Sequence, residues 1–187
     1  MLKIALKEWA VVCDLLVEGS LAIVLRKGGI HEDTGPGRFR LEVPKFALFP
    51  AWEHQDPRKL KTAYQSRVEV FDAEPADLMI KGYAEAAHVW VVPSRAAFDE
   101  LDDLHCWTRE QIDMRFDYKP DRPIYLLALR AYRLAGERVI ANNPRYAGCK
   151  SWVDLNAQDA IDETGSTPAL DDAAFTAIVE RVTRALA

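Results

Sequence analysis

The sequence predicts an α+β domain built on a small, mostly antiparallel β-barrel with helical insertions and a C-terminal helix. Of the 187 residues, 49% are hydrophobic and 28% are charged, as in ordinary globular domains. Strand-like segments outnumber helix-like ones in the middle of the chain, where glycine, proline and helical insertions interrupt them. Because the elements do not alternate strand, helix, strand, a doubly wound parallel sheet is disfavoured and a bent barrel fits better.

The composition excludes several other classes of protein. A chain of this length buries about 70% of its unfolded surface, so it can hold a core without disulfides or metals. No apolar run reaches the roughly 20 residues that span a bilayer, and the first residues lack the apolar core of a signal peptide. Cys13, Cys106 and Cys149 form no CxxC or CxxH pair, so a zinc ribbon is not predicted. We expect a cytoplasmic protein with reduced thiols and no membrane partner.

Apolar spacing predicts the first two elements. Residues 3–18 carry apolar side chains three and four positions apart, which favours an amphipathic helix, and Gly19 is a candidate C-cap. A strand over residues 9–16 is the alternative, because β-branched side chains there also suit a sheet. Residues 21–25 form a short continuous apolar run, which is typical of a buried strand.

The middle of the chain is predicted to hold most of the sheet. Residues 39–49 contain one or two strands interrupted by a proline, and residues 50–64 are a polar loop. Alternating hydrophobicity predicts a strand over residues 67–71. Residues 78–92 form one long strand or two, with Gly82 as a candidate bulge.

Two capped helices and the closing strand follow. Ser94 and Thr108 are typical N-cap residues, and they predict a helix over residues 95–104 and a second short helix beginning at Thr108. Residues 124–134 are apolar and rich in strand-forming side chains, so they are predicted to close the barrel.

The end of the chain is predicted to complete the domain and then to continue as a linker and a helix. Residues 149–155 form a short strand or a turn of helix, and residues 156–170 have the composition of a linker. Residues 171–186 place apolar side chains on one face of a helix. We therefore expect one domain over residues 1–155, followed by a linker and helix over residues 156–187. A dimer through this helix is one expectation for the oligomeric state, which the sequence otherwise leaves open.

The net charge of −5 is a sum of blocks of opposite sign. Residues 37–67 carry seven Lys or Arg against three Asp or Glu, and residues 122–152 carry six against one. Residues 68–114 carry three against eleven, and residues 153–187 carry two against seven. The basic blocks also hold aromatic residues, a combination that binds phosphates and stacked bases. The acidic total therefore does not exclude RNA or a nucleotide as the partner.

Two candidate sites lie in the first third of the chain. Arg26 and Lys27, followed by two glycines (Gly28 and Gly29), place cations beside backbone N–H groups that can approach an anion closely; a charged hairpin turn is the alternative. The second candidate is the loop that holds Trp52, Glu53, His54 and Gln55. Such a loop can read a base by stacking and hydrogen bonding, and Glu53 or His54 can act as a general base. A buried tryptophan anchoring a solvated loop is its alternative.

A third candidate lies on the predicted closing strand. Alternation places Arg130 and Tyr132 on one face of that strand. Because an unpaired arginine is costly to bury, Arg130 either pairs with a carboxylate such as Glu85 or faces a pocket.

A fourth candidate combines Tyr146, Cys149, Lys150 and Trp152. Lys150 would favour the thiolate of a nucleophilic Cys149, and His54 could be the base that such a nucleophile needs. The alternative is a structural turn in which Trp152 fills the barrel.

No cofactor or metal site is predicted. His31, His88, and His105 with its neighbour Cys106 have no metal-ligand spacing.

Four segments occur in a recognisable order. They are residues 6–12 (Leu-Lys-Glu-Trp-Ala-Val-Val) with 25–30 (Leu-Arg-Lys-Gly-Gly-Ile), 46–55 (Phe-Ala-Leu-Phe-Pro-Ala-Trp-Glu-His-Gln), 123–134 (Pro-Ile-Tyr-Leu-Leu-Ala-Leu-Arg-Ala-Tyr-Arg-Leu) and 144–155 (Pro-Arg-Tyr-Ala-Gly-Cys-Lys-Ser-Trp-Val-Asp-Leu). Together they resemble a bacterial family catalogued as domain of unknown function 1802, over about residues 2–155. This resemblance implies no particular activity.

A more distant likeness is to PUA-like barrels of the ASCH type. Such barrels place a glycine before a strand of the form Gly-x-Lys-x-x-Glu-x-Arg, and Gly19 and Arg26 stand at that spacing. Leu21 and Val24 occupy the lysine and glutamate positions. The likeness implies a PUA-like barrel with RNA or modified nucleosides as ligands, whereas the two replacements argue against the family's hydrolases.

These observations predict a binding module for RNA, single-stranded nucleic acid or a modified nucleotide through a basic, aromatic-lined face. The expected ligand-binding residues are Arg26, Lys27, Trp52, His54, Gln55, Arg130, Tyr132, Tyr146, Lys150 and Trp152. The alternative is a hydrolase or nuclease-type enzyme acting on a nucleotide or phosphate-containing substrate. Its candidate catalytic residues are Glu53, His54, Cys149 and Lys150. A third expectation is an interaction protein whose acidic stretch, residues 68–114, meets a basic partner.

Overall fold

The computed structural model of the chain describes residues 1–28, 35 and 37–187. Its strands are β1 (Ile4–Trp9), β2 (Ile23–Arg26), β3 (Lys45–Ala51), β4 (Asp77–Val91), β5 (Tyr125–Ala141), β6 (Trp152–Asp154) and β7 (Thr167–Pro168). Its α-helices are α1 (Ala10–Glu18), α2 (Thr62–Gln65), α3 (Arg95–Asp99), α4 (Arg109–Asp117) and α5 (Asp172–Leu186). Within this described part of the chain, no helix combines the length and apolar character needed to cross a bilayer.

The strands form one mixed sheet in the order β2-β5-β4-β3-β1-β6, and β7 pairs with β5. Strands β1 and β3 are parallel, with Leu6 opposite Leu48, and the other pairings are antiparallel. The prediction of a mostly antiparallel barrel is corrected here: the sheet is mixed and curls into a half-barrel. The physical reason is that β1 lies between β3 and β6, which run in opposite directions, so it must be parallel to one of them.

The first predicted helix is a strand followed by a helix. Residues 3–18 contain β1 and then α1: Ala5 and Leu6 bury both faces of the strand, and seven of the nine residues of α1 are buried. Ala5 and Leu6 are both fully buried, yet they belong to different core clusters. The predicted C-cap is confirmed, since Gly19 has a φ of 82° and donates its N–H to Leu16 O at 3.1 Å.

Strands β4 and β5 form a long antiparallel pair, separated in sequence by the inserted helices, and this pair carries the predicted bulge. The register of the pair shifts at Gly82, where an added Cβ would lie 2.4 Å from the carbonyl oxygen of Tyr132. Strand β5 runs seven residues past the predicted end, and Asp77 to Ile80 on β4 pair with the last four of them. The strand predicted over residues 67–71 is absent, and Val70 and Phe71 are exposed instead.

The inserted helices begin at the predicted N-caps. Ser94 Oγ accepts the N–H of Ala97 at 3.1 Å, and Thr108 Oγ1 accepts that of Gln111 at 3.2 Å. Helix α3 is shorter than predicted and gives way to a 3-10 turn at Asp102–Leu104.

The segment with the composition of a linker is packed on the sheet. Thr167–Pro168 pairs with β5, and Ile161 forms a bridge with Leu2. Helix α5 then buries Phe175 and Val182 against the same chain. The apolar face on which a dimer was expected is therefore largely used within the chain.

His105 makes the stability of this fold depend on pH. Its side chain is buried and stacks on Phe98 at 5.0 Å, and its Nδ1 accepts the N–H of Trp107. Burial lowers the pKa of His105 from 6.5 to about 4, because the imidazolium would lose its hydration. The unfolded chain thus binds more protons between these values. The stabilisation is complete above pH 6.5 and is lost as the pH falls towards 4.

We expect His105 to cost wild type about 3 kcal/mol of unfolding free energy on going from pH 7 to pH 4. Urea unfolding at both pH values, for wild type and for His105→Gln, measures this difference. Protonation of carboxylates lowers the unfolding free energy of both proteins equally. The loss for His105→Gln should therefore be smaller than the loss for wild type by about 3 kcal/mol. An identical loss in both proteins would contradict the assignment.

Candidate functional site

A cavity of about 270 Å³ opens where the half-barrel fails to close. Its walls come from the ends of β1, β2 and β3, the end of α4, and the loop before β6. The lining residues are Lys7, Glu8, Trp9, Leu25, Arg26, Lys27, Gly28, Ala51, Glu53, His54, Met114, Arg115, Tyr118, Gly148, Cys149, Lys150 and Ser151. We call this the cleft cavity.

Arg26 connects the two ends of the curled sheet. Its Nη1 lies 2.9 Å from Glu8 Oε2 on β1, and its Nη2 donates to Ser151 Oγ at 2.5 Å beside β6. The Arg26 and Glu8 side chains are only 12% and 6% exposed, so this is a buried ion pair. Arg26 therefore forms a wall of the cleft cavity while its charge is largely satisfied by protein.

Lys27 holds the end of α4 against the cavity. Its Nζ donates to the carbonyl oxygens of Arg115 and Phe116, at 3.0 and 3.2 Å. A cation at this position is favoured by the helix dipole. Burial lowers the pKa of Lys27. Lys27 was predicted to bind a ligand, but its ammonium group donates hydrogen bonds that position α4.

Lys7 is a cavity residue that the sequence reasoning missed. Its Nζ donates to the carbonyl oxygens of Tyr146 and Gly148, at 2.6 and 3.2 Å, and lies 5.5 Å from the centre of the Phe49 ring. Burial lowers the pKa of Lys7, and the charge of Glu53 opposes that shift. In the sequence, the signal that points to Lys7 is its place in the first of the four recognisable segments, residues 6–12. In the structure, its neighbours Leu6 and Glu8 are both buried.

The predicted catalytic candidates meet at the rim of the cleft cavity. Cys149 Sγ lies 3.8 Å from His54 Nε2, and Glu53 and Lys150 line the same cavity. His54 has a φ of 64°, which is uncommon for a residue other than glycine. Lys150 Nζ donates to Arg145 O at 2.8 Å and remains partly exposed. The structure thus brings together two pairs of neighbouring residues that lie almost a hundred positions apart in sequence.

Trp52 and Gln55 point away from this cavity. Gln55 is buried; its Oε1 accepts the N–H of Val11 at 3.2 Å, and its Nε2 donates to Glu69 O at 3.0 Å. The Trp52 ring packs edge-on against Phe71. Both residues line a neighbouring cavity of about 330 Å³. The loop of residues 52–55, predicted to form one site, therefore places Glu53 and His54 at the cleft cavity and the other two residues at the neighbouring cavity.

Arg130 and Tyr132 lie outside the cleft cavity. Arg130 forms an ion pair with Asp172 at the start of α5 and lies 5.4 Å from the centre of the Phe175 ring. Its expected partner Glu85 is its cross-strand neighbour but pairs with Lys45 instead. Tyr132 stacks on Tyr83, with ring centres 4.7 Å apart. These residues hold α5 and β4 in place.

Tyr146 and Trp152 are core residues. Tyr146 is 1% exposed, and its hydroxyl donates to Asp159 Oδ2 at 2.5 Å. Trp152 stacks on Phe39 and donates its indole N–H to Arg40 O at 2.7 Å. Neither ring lines the cleft cavity. Sequence composition cannot separate such buried aromatics from stacking platforms, because both are flanked by polar residues.

The remaining histidines and cysteines have structural surroundings. His88 stacks on Trp90, and burial raises the pKa of Cys106 to about 12. Over residues 1–28, 35 and 37–187, no group of three or more His, Cys, Asp or Glu side chains could hold a metal ion. His31 and Gly29 lie outside the described residues.

The charge of the cleft cavity favours an anionic ligand. Five basic residues line it (Lys7, Arg26, Lys27, Arg115 and Lys150) against two acidic ones (Glu8 and Glu53). Trp9 and Tyr118 add aromatic surface, and Tyr118 is 39% exposed. Converging cations in a recess attract anions more strongly than the same cations on an open surface.

A protein-family model described as "Domain of unknown function (DUF1802)" matches residues 5–181 of the chain. No curated protein matches the sequence. Among solved structures, the crystal structure of ASCH from Zymomonas mobilis is similar at a TM-score of 0.49 and 11% identity, over 83% of this chain and 89% of that chain. Structures of a serine-to-alanine and a tyrosine-to-phenylalanine mutant of that protein score 0.48 and 0.47, at 11% and 10% identity, with the same 83% of this chain and 89% and 91% of theirs. Likenesses at this level say nothing about what the cavity binds.

Proposed function

The chain belongs to the DUF1802 family, and we propose that its cleft cavity binds one nucleotide unit, of RNA or another single-stranded nucleic acid or as a free modified nucleotide. The observation that carries this proposal is the excess of basic over acidic side chains around a recess with aromatic surface. Cations recognise the phosphate, and an aromatic ring offers a stacking platform to any base.

The dimensions and chemistry of the cavity support a small unit. Ligand pockets range from roughly 300 to 1,000 Å³, so about 270 Å³ suits one nucleotide rather than a duplex. Lys150 is partly exposed and is available to a phosphate, whereas Arg26 and Lys27 are committed to protein partners. Tyr118 is the exposed aromatic side chain at the cavity and is the proposed stacking partner of the base.

We expect Lys150→Ala and Tyr118→Ala to weaken binding of a short fluorescein-labelled single-stranded RNA measured by anisotropy. Loss of one stacked base costs about 1–3 kcal/mol, which is roughly a 5- to 150-fold weaker affinity for Tyr118→Ala. Loss of one phosphate contact should lower the slope of log affinity against log salt by about 0.7 in Lys150→Ala.

Lys3→Ala is the matched control, because Lys3 is an exposed lysine that does not line the cavity. Its affinity should stay within about twofold of wild type. A mononucleotide added in excess should compete with the RNA. Equal weakening by all three substitutions, or no competition, would overturn the proposal.

The contact between Cys149 and His54 favours a second function, a hydrolase or nuclease-type activity on the bound nucleotide. Cys149 would be the nucleophile, His54 its base, and Glu53 and Lys150 would orient the substrate. Shortened RNA in the binding mixtures of wild type, but not of Cys149→Ala, would favour this function over binding alone.

A further inference from the structure

The three cysteines of the chain lie in different surroundings. Cys13 and Cys106 are 5% and 0% exposed, and burial raises the pKa of both thiols. Cys149 is partly exposed at the cleft cavity. Because the thiolate is the reacting form, the two buried thiols are protected both by access and by protonation.

Cys149 is surrounded by groups that favour reaction of its thiol. The imidazole Nε2 of His54 lies 3.8 Å from Sγ, and both residues line the cleft cavity. Lys150 follows it in sequence, and Lys7 is near enough for the two charges to influence each other. A nearby base can take the proton of the thiol as it attacks, and nearby cations attract an anionic reagent. An exposed cysteine on a convex surface would have none of these neighbours.

We propose that Cys149 is a site of covalent thiol modification, at which small disulfides bearing carboxylates enter the cleft cavity and react. His54 takes the proton of Cys149, and the thiolate attacks one sulfur of the disulfide R–S–S–R. A bond forms between Cys149 Sγ and the attacked sulfur as the S–S bond of the reagent breaks, and R–S⁻ leaves with the electron pair of that bond. The leaving thiolate takes the proton back from His54, so one disulfide is exchanged for another without a further oxidant.

The charge of the cavity selects the class of reagent. A carboxylate-bearing disulfide meets the excess of basic side chains described for the nucleotide phosphate, whereas a cationic disulfide is repelled by it. The adduct would occupy the space assigned to the nucleotide. The claim that the adduct blocks the nucleotide site rests on the proposed function, but the selectivity of the reaction for Cys149 and for anionic disulfides does not.

The test uses the native full chain and two probes, oxidised glutathione and the cationic disulfide cystamine, followed by intact mass spectrometry and peptide mapping. We expect one adduct, at Cys149, and none at Cys13 or Cys106, which serve as internal controls. Oxidised glutathione should react faster than cystamine, and added salt should reduce the difference. His54→Ala and His54→Gln should slow the reaction about tenfold or more near pH 7. Lys3→Ala should not change the rate.

Several outcomes would overturn the proposal. These are adducts spread over all three cysteines, equal rates with both probes, or a rate and pH profile that neither His54 variant alters. If a His54 variant does not fold, as judged by circular dichroism, the pH profile of wild type and the rate of Lys150→Ala decide instead. Selective modification together with no RNA binding would contradict only the proposed function, and RNA binding without modification would contradict only the thiol site.

Discussion

Replacing Glu8 with alanine is expected to lower the free energy of unfolding by about 3–5 kcal/mol. Glu8 is buried, and its carboxylate is the ion-pair partner of Arg26. Burial lowers the pKa of Arg115, and the charge of Glu8 opposes this shift. Removal of the carboxylate leaves two guanidinium groups beside apolar surface without their counter-charge. Removing one member of a buried ion pair leaves the other charge buried and unpaired. This costs far more free energy than replacing both members by apolar side chains.

Chemical denaturation of wild type and three variants measures this effect. Glu8→Gln retains an acceptor without the charge and should lie between wild type and Glu8→Ala. Asp103→Ala is the matched control, because Asp103 also pairs with an arginine, Arg181, but is 64% exposed. That substitution should cost less than about 1 kcal/mol. If Glu8→Ala costs no more than Asp103→Ala, the buried ion pair of Glu8 and Arg26 does not stabilise the fold.

Replacing Tyr146 should be comparably severe. Tyr146→Ala removes a ring that is 1% exposed and packs edge-on against Phe49, so we expect a loss of about 3–5 kcal/mol. Tyr146→Phe keeps the ring but removes the hydroxyl that donates to Asp159 and accepts the N–H of Asn156. A buried carboxylate left without this donor costs about 1–3 kcal/mol.

Thermal unfolding and RNA binding measured on the same Tyr146 variants separate the two roles considered for this residue. If Tyr146 is a core residue, Tyr146→Phe should melt at a lower temperature than wild type. If Tyr146 contacts the ligand directly, Tyr146→Phe should bind RNA more weakly and melt at the same temperature as wild type. Tyr118→Phe is the control, because it removes a hydroxyl from an exposed tyrosine at the cavity. An unchanged melting temperature for Tyr146→Phe would contradict the structural role.

Local signals in the sequence predicted the parts of the fold that local physics decides. Gly19 ends α1 because only a residue tolerant of positive φ fits there. Ser94 and Thr108 begin helices because their oxygens accept N–H groups that the helix leaves free. The boundary between β1 and α1 was missed, since the apolar positions of a doubly buried strand also satisfy helical spacing.

The candidate site was predictable to the extent that its residues carry unusual chemistry on loops. Glu53, His54, Cys149 and Lys150 stood out by residue type, and the curl of the sheet brings them together. Lys7 did not stand out, because a single lysine in an apolar strand has no local signature. Tyr146 and Trp152 stood out for the wrong reason, since their burial depends on contacts from distant segments.

The position of β1 between β3 and β6 also bears on how the chain folds. During synthesis β1 emerges first, but Leu6 cannot meet Trp152 until almost the whole described sequence has been made. Pairings this distant in sequence slow folding, because a long loop must be ordered before they form. The pairing of β4 with β5 joins residues that are closer in sequence, such as Val91 and Tyr125, and can form earlier. Arg26 reaches Glu8 and Ser151 only after β1 and β6 have docked. The cleft cavity therefore takes shape late, and a nascent or truncated chain would be structured well before the nucleotide site that we propose there is complete.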